Sequence, residues 1–239
     1  MTSLPVQILW DLHWVSVDFP DWLFEIHRQL IQAGGGRIVT ANSEIVMQAQ
    51  TNPKLKQVLA QAEYCLPDGV GNVWASRWLR KPITMRLAGS DTLEGLLPIY
   101  RGSLFLWGGK PGVATRAAQR VASHFPHVQI VGTASGYYEA SEETDIINTI
   151  ERLQPRLVLL GLGSPRQELL MQRVYQVQPQ SWYMTVGGMI DVLAGDVGRA
   201  PKMWRRWGVE WLYRGLREPQ RMQRWPNLAR FVRWAVQQK

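Results

Sequence analysis

The chain has 239 residues, enough for one well-buried domain with an appendage and short for two full domains. Apolar residues make up 46% and charged residues 19%, which excludes general disorder. No apolar run approaches the roughly 18 residues that a membrane-spanning helix needs. The formal charge of +8 is concentrated: residues 196–239 hold eleven Lys and Arg against three acids, while the rest of the chain balances to zero. That shift predicts a neutral body over residues 1–195 and a small basic helical appendage over 196–239. The single cysteine, Cys65, cannot form an internal disulfide, and residues 1–10 lack a secretory signature, so the expected compartment is the reducing cytoplasm.

In chain order, residues 9–17 alternate enough to predict a first strand. Asp18-Phe19-Pro20 then supplies a cap and first turn for a helix to about residue 32, which Gly34-Gly35-Gly36 ends. Residues 37–40 predict a short buried strand, Asn42 a cap for a helix over 43–50, and Asn52-Pro53 the start of another to about 62. Residues 63–66 predict a strand and those after Gly69 a helix to about 80. The loop Arg86-Leu87-Ala88-Gly89-Ser90-Asp91 leads into a helix through 97. Strands follow at 103–107, 128–133, 157–160 and 181–186, the last expected to close the sheet. Helices over 113–125 and 141–154 separate the first three, and a further helix opens near Gln167. Apolar strands separated by helices predict an α/β fold, a Rossmann-like parallel sheet with helices on both faces.

Ligands of such a sheet bind outside the carboxyl ends of its strands, and several ends carry suitable residues. After the strand at 63–66 stands Leu66-Pro67-Asp68-Gly69-Val70-Gly71, where Asp68 can present a carboxylate to a crevice beside a bare backbone. The same residues also read as a turn in which Asp68 caps the following helix. Thr40 and Asn42 fall at the same edge. Gly161-Leu162-Gly163-Ser164-Pro165-Arg166-Gln167-Glu168 joins a strand to a helix start, where amides and the helix dipole favour a phosphate or a hydroxyl-rich sugar. Gly109, within Gly108-Gly109-Lys110-Pro111-Gly112, and Gly187-Gly188 make two further glycine turns. Singly each is ordinary; together on one edge they point to a nucleotide-sugar crevice.

Other chemistries find little support. A nicotinamide-dependent oxidoreductase would need the glycine fingerprint and an acidic residue about 20 positions later. The four histidines lie at no metal-ligand spacing, no two aspartates lie two apart to hold a metal on a diphosphate, and no Gly-x-Ser-x-Gly elbow exists for a hydrolase. Neither a metal nor a cofactor is therefore expected. Cys65 reads as a small buried strand residue.

The ordered set Thr40-Ala41-Asn42, Pro67-Asp68-Gly69-Val70-Gly71, Arg86 to Asp91, Gly161 to Glu168, Val186-Gly187-Gly188, Arg199-Ala200-Pro201 and Glu210-Trp211-Leu212-Tyr213-Arg214 resembles the WecG/TagA/CpsF glycosyltransferases, family 26. The resemblance runs from about Leu9 to Arg224. It implies a membrane-associated, inverting, metal-independent enzyme. The best-known members transfer N-acetylmannosamine from its UDP donor to undecaprenyl-diphosphate-linked N-acetylglucosamine through a β-1,4 bond, in cell-surface polysaccharide synthesis. It also implies that Asp68 is the base and that Thr40, Asn42 and Gln167 line the pocket. Arg214, Arg221 and Arg224 match basic residues of the family's C-terminal appendage. Ala41 and Asn72 depart from the family pattern, where a proline and an apolar residue are more usual.

The expected substrate-binding set is Thr40, Asn42, Gly69, Arg86, Gly89, Asp91, Gly109, Gly163, Pro165, Gln167, Glu168, Gly187, Gly188, Arg214, Arg217, Arg221 and Arg224, around the catalytic Asp68. The expected partners are a UDP-sugar donor, a polyprenyl-diphosphate-linked acceptor and the anionic inner face of the plasma membrane, with self-association a further option. In the appendage, Trp204, Trp207 and Trp211 would share one stripe of a helix over 202–217, and Pro219 and Pro226 would start new helices. Tryptophan beside arginine suits the water-lipid boundary. The basic tail brings no nucleic-acid-binding motif with it. The same sequence leaves open another UDP-sugar, such as glucose, glucuronate or N-acetylglucosamine, and a non-enzymatic membrane adaptor.

Overall fold

The computed structural model describes residues 4–198, 203–204 and 225–238. Eight strands form one sheet in the order β1-β2-β4-β3-β8-β7-β5-β6. They are β1 (Val6–Leu9), β2 (Leu12–Val15), β3 (Gly36–Ala41), β4 (Tyr64–Pro67), β5 (Ser103–Gly108), β6 (Gln129–Ala134), β7 (Leu157–Gly161) and β8 (Trp182–Thr185). All neighbouring pairs are parallel except β1 with β2. The fold is therefore the expected α/β, Rossmann-like arrangement.

Alternation along the strands divides the apolar side chains between two faces. In β7, Leu157 and Leu159 enter one core, and Val158 and Leu160 the other. Trp182 and Met184 of β8 likewise oppose Tyr183. The first core is covered by α1 (Phe19–Ile31), α5 (Gly89–Leu96), α6 (Val113–His124) and α9 (Met189–Ala194). The second is covered by α2 (Ser43–Thr51), α3 (Pro53–Gln61), α4 (Val70–Trp78), α7 (Ala140–Leu153) and α8 (Arg166–Val177). Cys65 lies wholly inside the second core, where burial pushes its thiol up to about 12.

The helix starts follow the local chemistry. Asp18 accepts the Asp21 N–H, Asn42 that of Ile45 and Asn52 that of Leu55, each at 3.0 to 3.1 Å, the capping geometry expected of these residues. α1 ends at Ile31, and Gly35 leads into β3 where the chain must pass the β8 entry: a Cβ there would lie 2.2 Å from the Ser181 carbonyl oxygen.

Two expectations need correction. Residues 9–17 are not one strand. Leu9 pairs with Leu12, and Trp10 and Asp11 between them have φ of 58° and 61°, the signature of a tight hairpin turn. The alternation across 9–17 hid the turn because one of its two left-handed positions is filled by a tryptophan, at a cost of about 1–2 kcal/mol, where glycine, asparagine or aspartate is usual. Nor does β8 close the sheet. It lies at the centre, between β3 and β7, which its four fully buried residues require.

The end of the basic stretch is helical too. A last helix, α10 (Trp225–Gln237), packs against α2 and α4, with Phe231 and Ala235 completely buried in the second core. Trp10 clasps it, its ring centroid 5.6 Å from Phe231 and 5.1 Å from Trp234. The expected helix over 202–217 and the start at Pro219 fall outside the described residues except for Met203 and Trp204. Phe231→Ala should cost about 3–5 kcal/mol, the range for truncating a buried aromatic. Urea unfolding checks this; a loss below about 1 kcal/mol would mean that α10 is not part of the core.

Candidate active site

The crevice follows from topology. After β3 the chain turns into α2 on one face of the sheet, and after the adjacent β8 it turns into α9 on the other. Neighbouring parallel strands whose connections leave in opposite directions open a crevice at their carboxyl ends. Thr40 and Thr185 clamp its floor. The Thr40 N–H donates to Thr185 Oγ1 at 3.1 Å, and the Thr40 hydroxyl donates to the Thr185 carbonyl at 2.9 Å. Both residues are buried, so the Thr40 hydroxyl proton is spent on the sheet and its oxygen keeps only acceptor capacity.

Asp68 stands at the end of β4, beside that floor. Its N–H bonds the Ala41 carbonyl at the end of β3, at 3.0 Å. No side chain caps α4, whose N-cap is Gly69, so the reading of Asp68 as a helix cap is set aside. Its carboxylate instead accepts the Gly89 N–H at the start of α5, at 3.3 Å, and stays 30% exposed. Gly89 must be glycine here, because a Cβ would meet Thr40 Cγ2 at 2.6 Å. Arg86 lies 3.9 Å from Asp68 and 2.7 Å from Asp91, so its close partner is Asp91 and Asp68 feels the longer contact. The Leu87 N–H to the Pro67 carbonyl, at 3.1 Å, fixes this loop to the end of β4.

The far wall is built from β8, β7 and β5. Gly187, with φ of 52°, donates its N–H to Gln167 Oε1 at 3.2 Å, and Gln167 Nε2 donates to Glu168 Oε1 at 2.8 Å. Gln167 is thus buried as a strut between two glycine turns, with both ends of its amide engaged. Gly163 also adopts a left-handed φ, of 80°, and Pro165 follows it at the N-cap of α8. The strand ends approach closely: a Cβ on Gly108 would lie 2.4 Å from the Gly161 carbonyl, and one on Gly161 2.6 Å from that of Gly187. Gly109 continues from Gly108 with its N–H on the Gly161 carbonyl, and Gly188 is the N-cap of α9.

The structure therefore gathers the expected residues along one edge, in the spatial order Asp68, Thr40 and Asn42, Gly187 and Gly188, Gly163 to Glu168, then Gly109. Gly69, Arg86, Gly89 and Asp91 join them beside Asp68. Asn42 reaches the edge but spends its side-chain oxygen on capping α2. Arg214, Arg217, Arg221 and Arg224 lie outside the described residues. Among the described residues no group of three or more His, Cys, Asp or Glu side chains could hold a metal.

The model for the glycosyl transferase WecG/TagA/CpsF family matches residues 8–239. The chain belongs to this family. It is a glycosyltransferase of polysaccharide synthesis, acting between a sugar donor and an acceptor. No described helix is long and apolar enough to cross a membrane.

The sequence marked Asn72 only as a departure from the family pattern, without a role, and did not mark Thr185. Asn72, fully buried in α4, donates to the Ala41 carbonyl at 2.9 Å and so braces the loop that carries Asn42. Thr185 holds the floor. The signal for each was a polar residue within an apolar segment. Glu168 also proves different in kind from a surface ligand. It is completely buried, Oε2 makes no hydrogen bond, and burial holds its carboxyl above the usual range, with Gln167 opposing. A carboxyl whose folded-state pKa is raised favours the fold while protonated and loses that contribution as pH climbs from its reference value of 4.5. Glu168→Gln should therefore raise the melting temperature at pH 7.5, with the advantage vanishing towards pH 4.5. A variant no more stable than the parent at pH 7.5 would contradict this assignment.

Proposed function

We propose that this protein is an inverting, metal-independent transferase that moves N-acetylmannosamine from a UDP donor to undecaprenyl-diphosphate-linked N-acetylglucosamine. The product is a β-1,4-linked disaccharide lipid, made at the inner face of the plasma membrane. The observation that carries the reading is the position of Asp68: a partly exposed carboxylate at the mouth of the crevice, held by the Gly89 N–H.

In the transfer, the acceptor hydroxyl attacks the anomeric carbon opposite the departing diphosphate. The new C–O bond forms as the bond to the phosphate oxygen breaks. Asp68 takes the hydroxyl proton, and UDP leaves with the bonding pair. The leaving group's growing charge needs donors already in place. The glycine turns after β7 and β8 would supply backbone amides other than that of Gly187, whose N–H bonds Gln167 and so ties the two turns together. Arginines of the appendage, with Arg214, Arg217, Arg221 and Arg224 the candidates, would complete the grip through forked contacts to phosphate oxygens. The basic appendage would also hold the enzyme at anionic lipid, where each basic residue adds roughly 1 kcal/mol.

A screen of UDP-sugars against a short-chain lipid diphosphate acceptor identifies the donor; the reading predicts turnover with UDP-N-acetylmannosamine above glucose, glucuronate or N-acetylglucosamine donors. In the same assay Asp68→Asn keeps an acceptor for the Gly89 N–H but cannot take a proton. It should lower kcat by about 100-fold or more while calorimetry shows UDP binding unchanged. Equal loss of UDP binding would make Asp68 a structural residue.

A further inference from the structure

A cleft of about 760 Å³ opens between the β1–β2 turn, the end of α4 and α10. It is separate from the crevice at Asp68, and among the described residues none of the groups placed in the transfer chemistry lines it. Three indoles form its walls: Trp10, Trp78 and Trp234. Three cations, Lys56, Arg80 and Lys81, stand around it. Asp11 is the acidic group of its lining and is bonded to Lys56 at 2.7 Å, so the lining keeps a surplus of two positive charges. The Trp10 ring nitrogen is buried there without a hydrogen-bond partner.

The backbone around this cleft is held in an unusual form. Among the described residues four that are not glycine have positive φ: Trp10, Asp11, Arg80 and Gln154. Gln154 merely caps α7. The other three all line the cleft. Each has a local role: Trp10 and Asp11 make the β1–β2 turn, and Arg80 ends α4 as Gln154 ends α7, with the Lys81 N–H on the Ser76 carbonyl. The same two turns bring Trp10 and Arg80 to one cleft.

The neighbouring surface indicates the ligand. Val70, Trp74 and Trp78 recur every fourth residue along α4 and are 39%, 44% and 42% exposed. Trp74 and Trp78 stack at 6.2 Å. This stripe begins two residues after Asp68 and ends at the cleft, about 12 Å further on by helix rise. Arg77, Arg80 and Lys81 accompany its lower half. Indole at the boundary, with cations beside it, matches the glycerol and phosphate layer of a bilayer. A free anion would gain nothing from three aromatic walls.

We infer that the cleft between the β1–β2 turn, α4 and α10 holds the phosphate headgroup of an anionic phospholipid, laying α4 along the bilayer. This deepens the membrane half of the proposed function and is independent of which sugar is transferred. It places a lipid contact on the body of the protein, separate from the arginines of residues 199–224, and aligns the stripe so that a lipid-linked acceptor reaches Asp68 from the same surface.

The test uses the full chain and flotation with vesicles of phosphatidylcholine alone or with 30 mole per cent phosphatidylglycerol, a probe composition of about that charge content. The pair Arg80→Gly and Lys81→Gln removes two cations and relieves the left-handed strain. It should melt higher than the parent yet bind phosphatidylglycerol vesicles about 30-fold more weakly, while Arg80→Lys retains binding. The charge-matched pair Arg101→Gln and Arg152→Gln, on other elements, should lose far less. Equal loss in the two pairs would show diffuse attraction and overturn the site. Calorimetric binding of glycerol phosphate to the parent as tight as its binding to the vesicles would show a free-anion site, and loss of a salt-dependent RNA gel shift in the Arg80 pair with no change in vesicle binding would show a nucleic-acid surface; either overturns the lipid assignment. Turnover of a water-soluble short-chain acceptor is read in parallel. The proposed transfer fails if the parent itself is inactive there, whereas the lipid site fails only in the vesicle arm.

Discussion

Where β3 runs beside β8, residues 145 positions apart in sequence are locked by two hydrogen bonds between Thr40 and Thr185. Every other part of the site takes its position from that junction. It joins the half of the sheet that carries Asp68 to the half that carries the glycine turns. It also forces α2 and α9 onto opposite faces, and so opens the crevice. Loss of this register would separate the proposed base from the amides proposed to receive the diphosphate, with no change in either motif.

The polar groups around the junction divide by burial. Gln167, Glu168, Asn72 and Thr185 are interior and set distances between backbone segments. Asp68, Arg86 and Asp91 are partly exposed and charged. An interior group that spends its donors and acceptors on the chain has little left for substrate, whereas the Asp68 carboxylate, 30% exposed, is open to an incoming hydroxyl. That division is why the chemistry is assigned to Asp68 and positioning to Gln167, although both stand in motifs of similar character.

Much of the fold was legible in the residues themselves. Apolar strands without polar alternation demanded helices on both faces, and Asp18, Asn42 and Asn52 announced their helices because capping is a local interaction. The candidate site was legible as far as strand ends could be found, since all ligands of such a sheet gather on one edge. The order of strands was not. The central place of β8 depends on contacts with β3 across most of the chain, which no local pattern encodes. The β1–β2 turn was missed because a tryptophan occupies a left-handed position usually filled by glycine, asparagine or aspartate, and no glycine stands beside Asp11 to complete the turn signal. Thr185 was overlooked, and Asn72 was seen only as a departure from the family pattern, because the role of a buried polar side chain shows only when its partner is known.

One carboxylate acting as a base implies a single displacement, and a single displacement fixes stereochemistry. The direct measurement is the anomeric configuration of the disaccharide lipid formed from an α-linked UDP-sugar, read from the one-bond carbon-hydrogen coupling in NMR. The account predicts a β linkage throughout the product. An α linkage would mean two displacements or attack from the side of the departing phosphate, and would contradict the role given to Asp68.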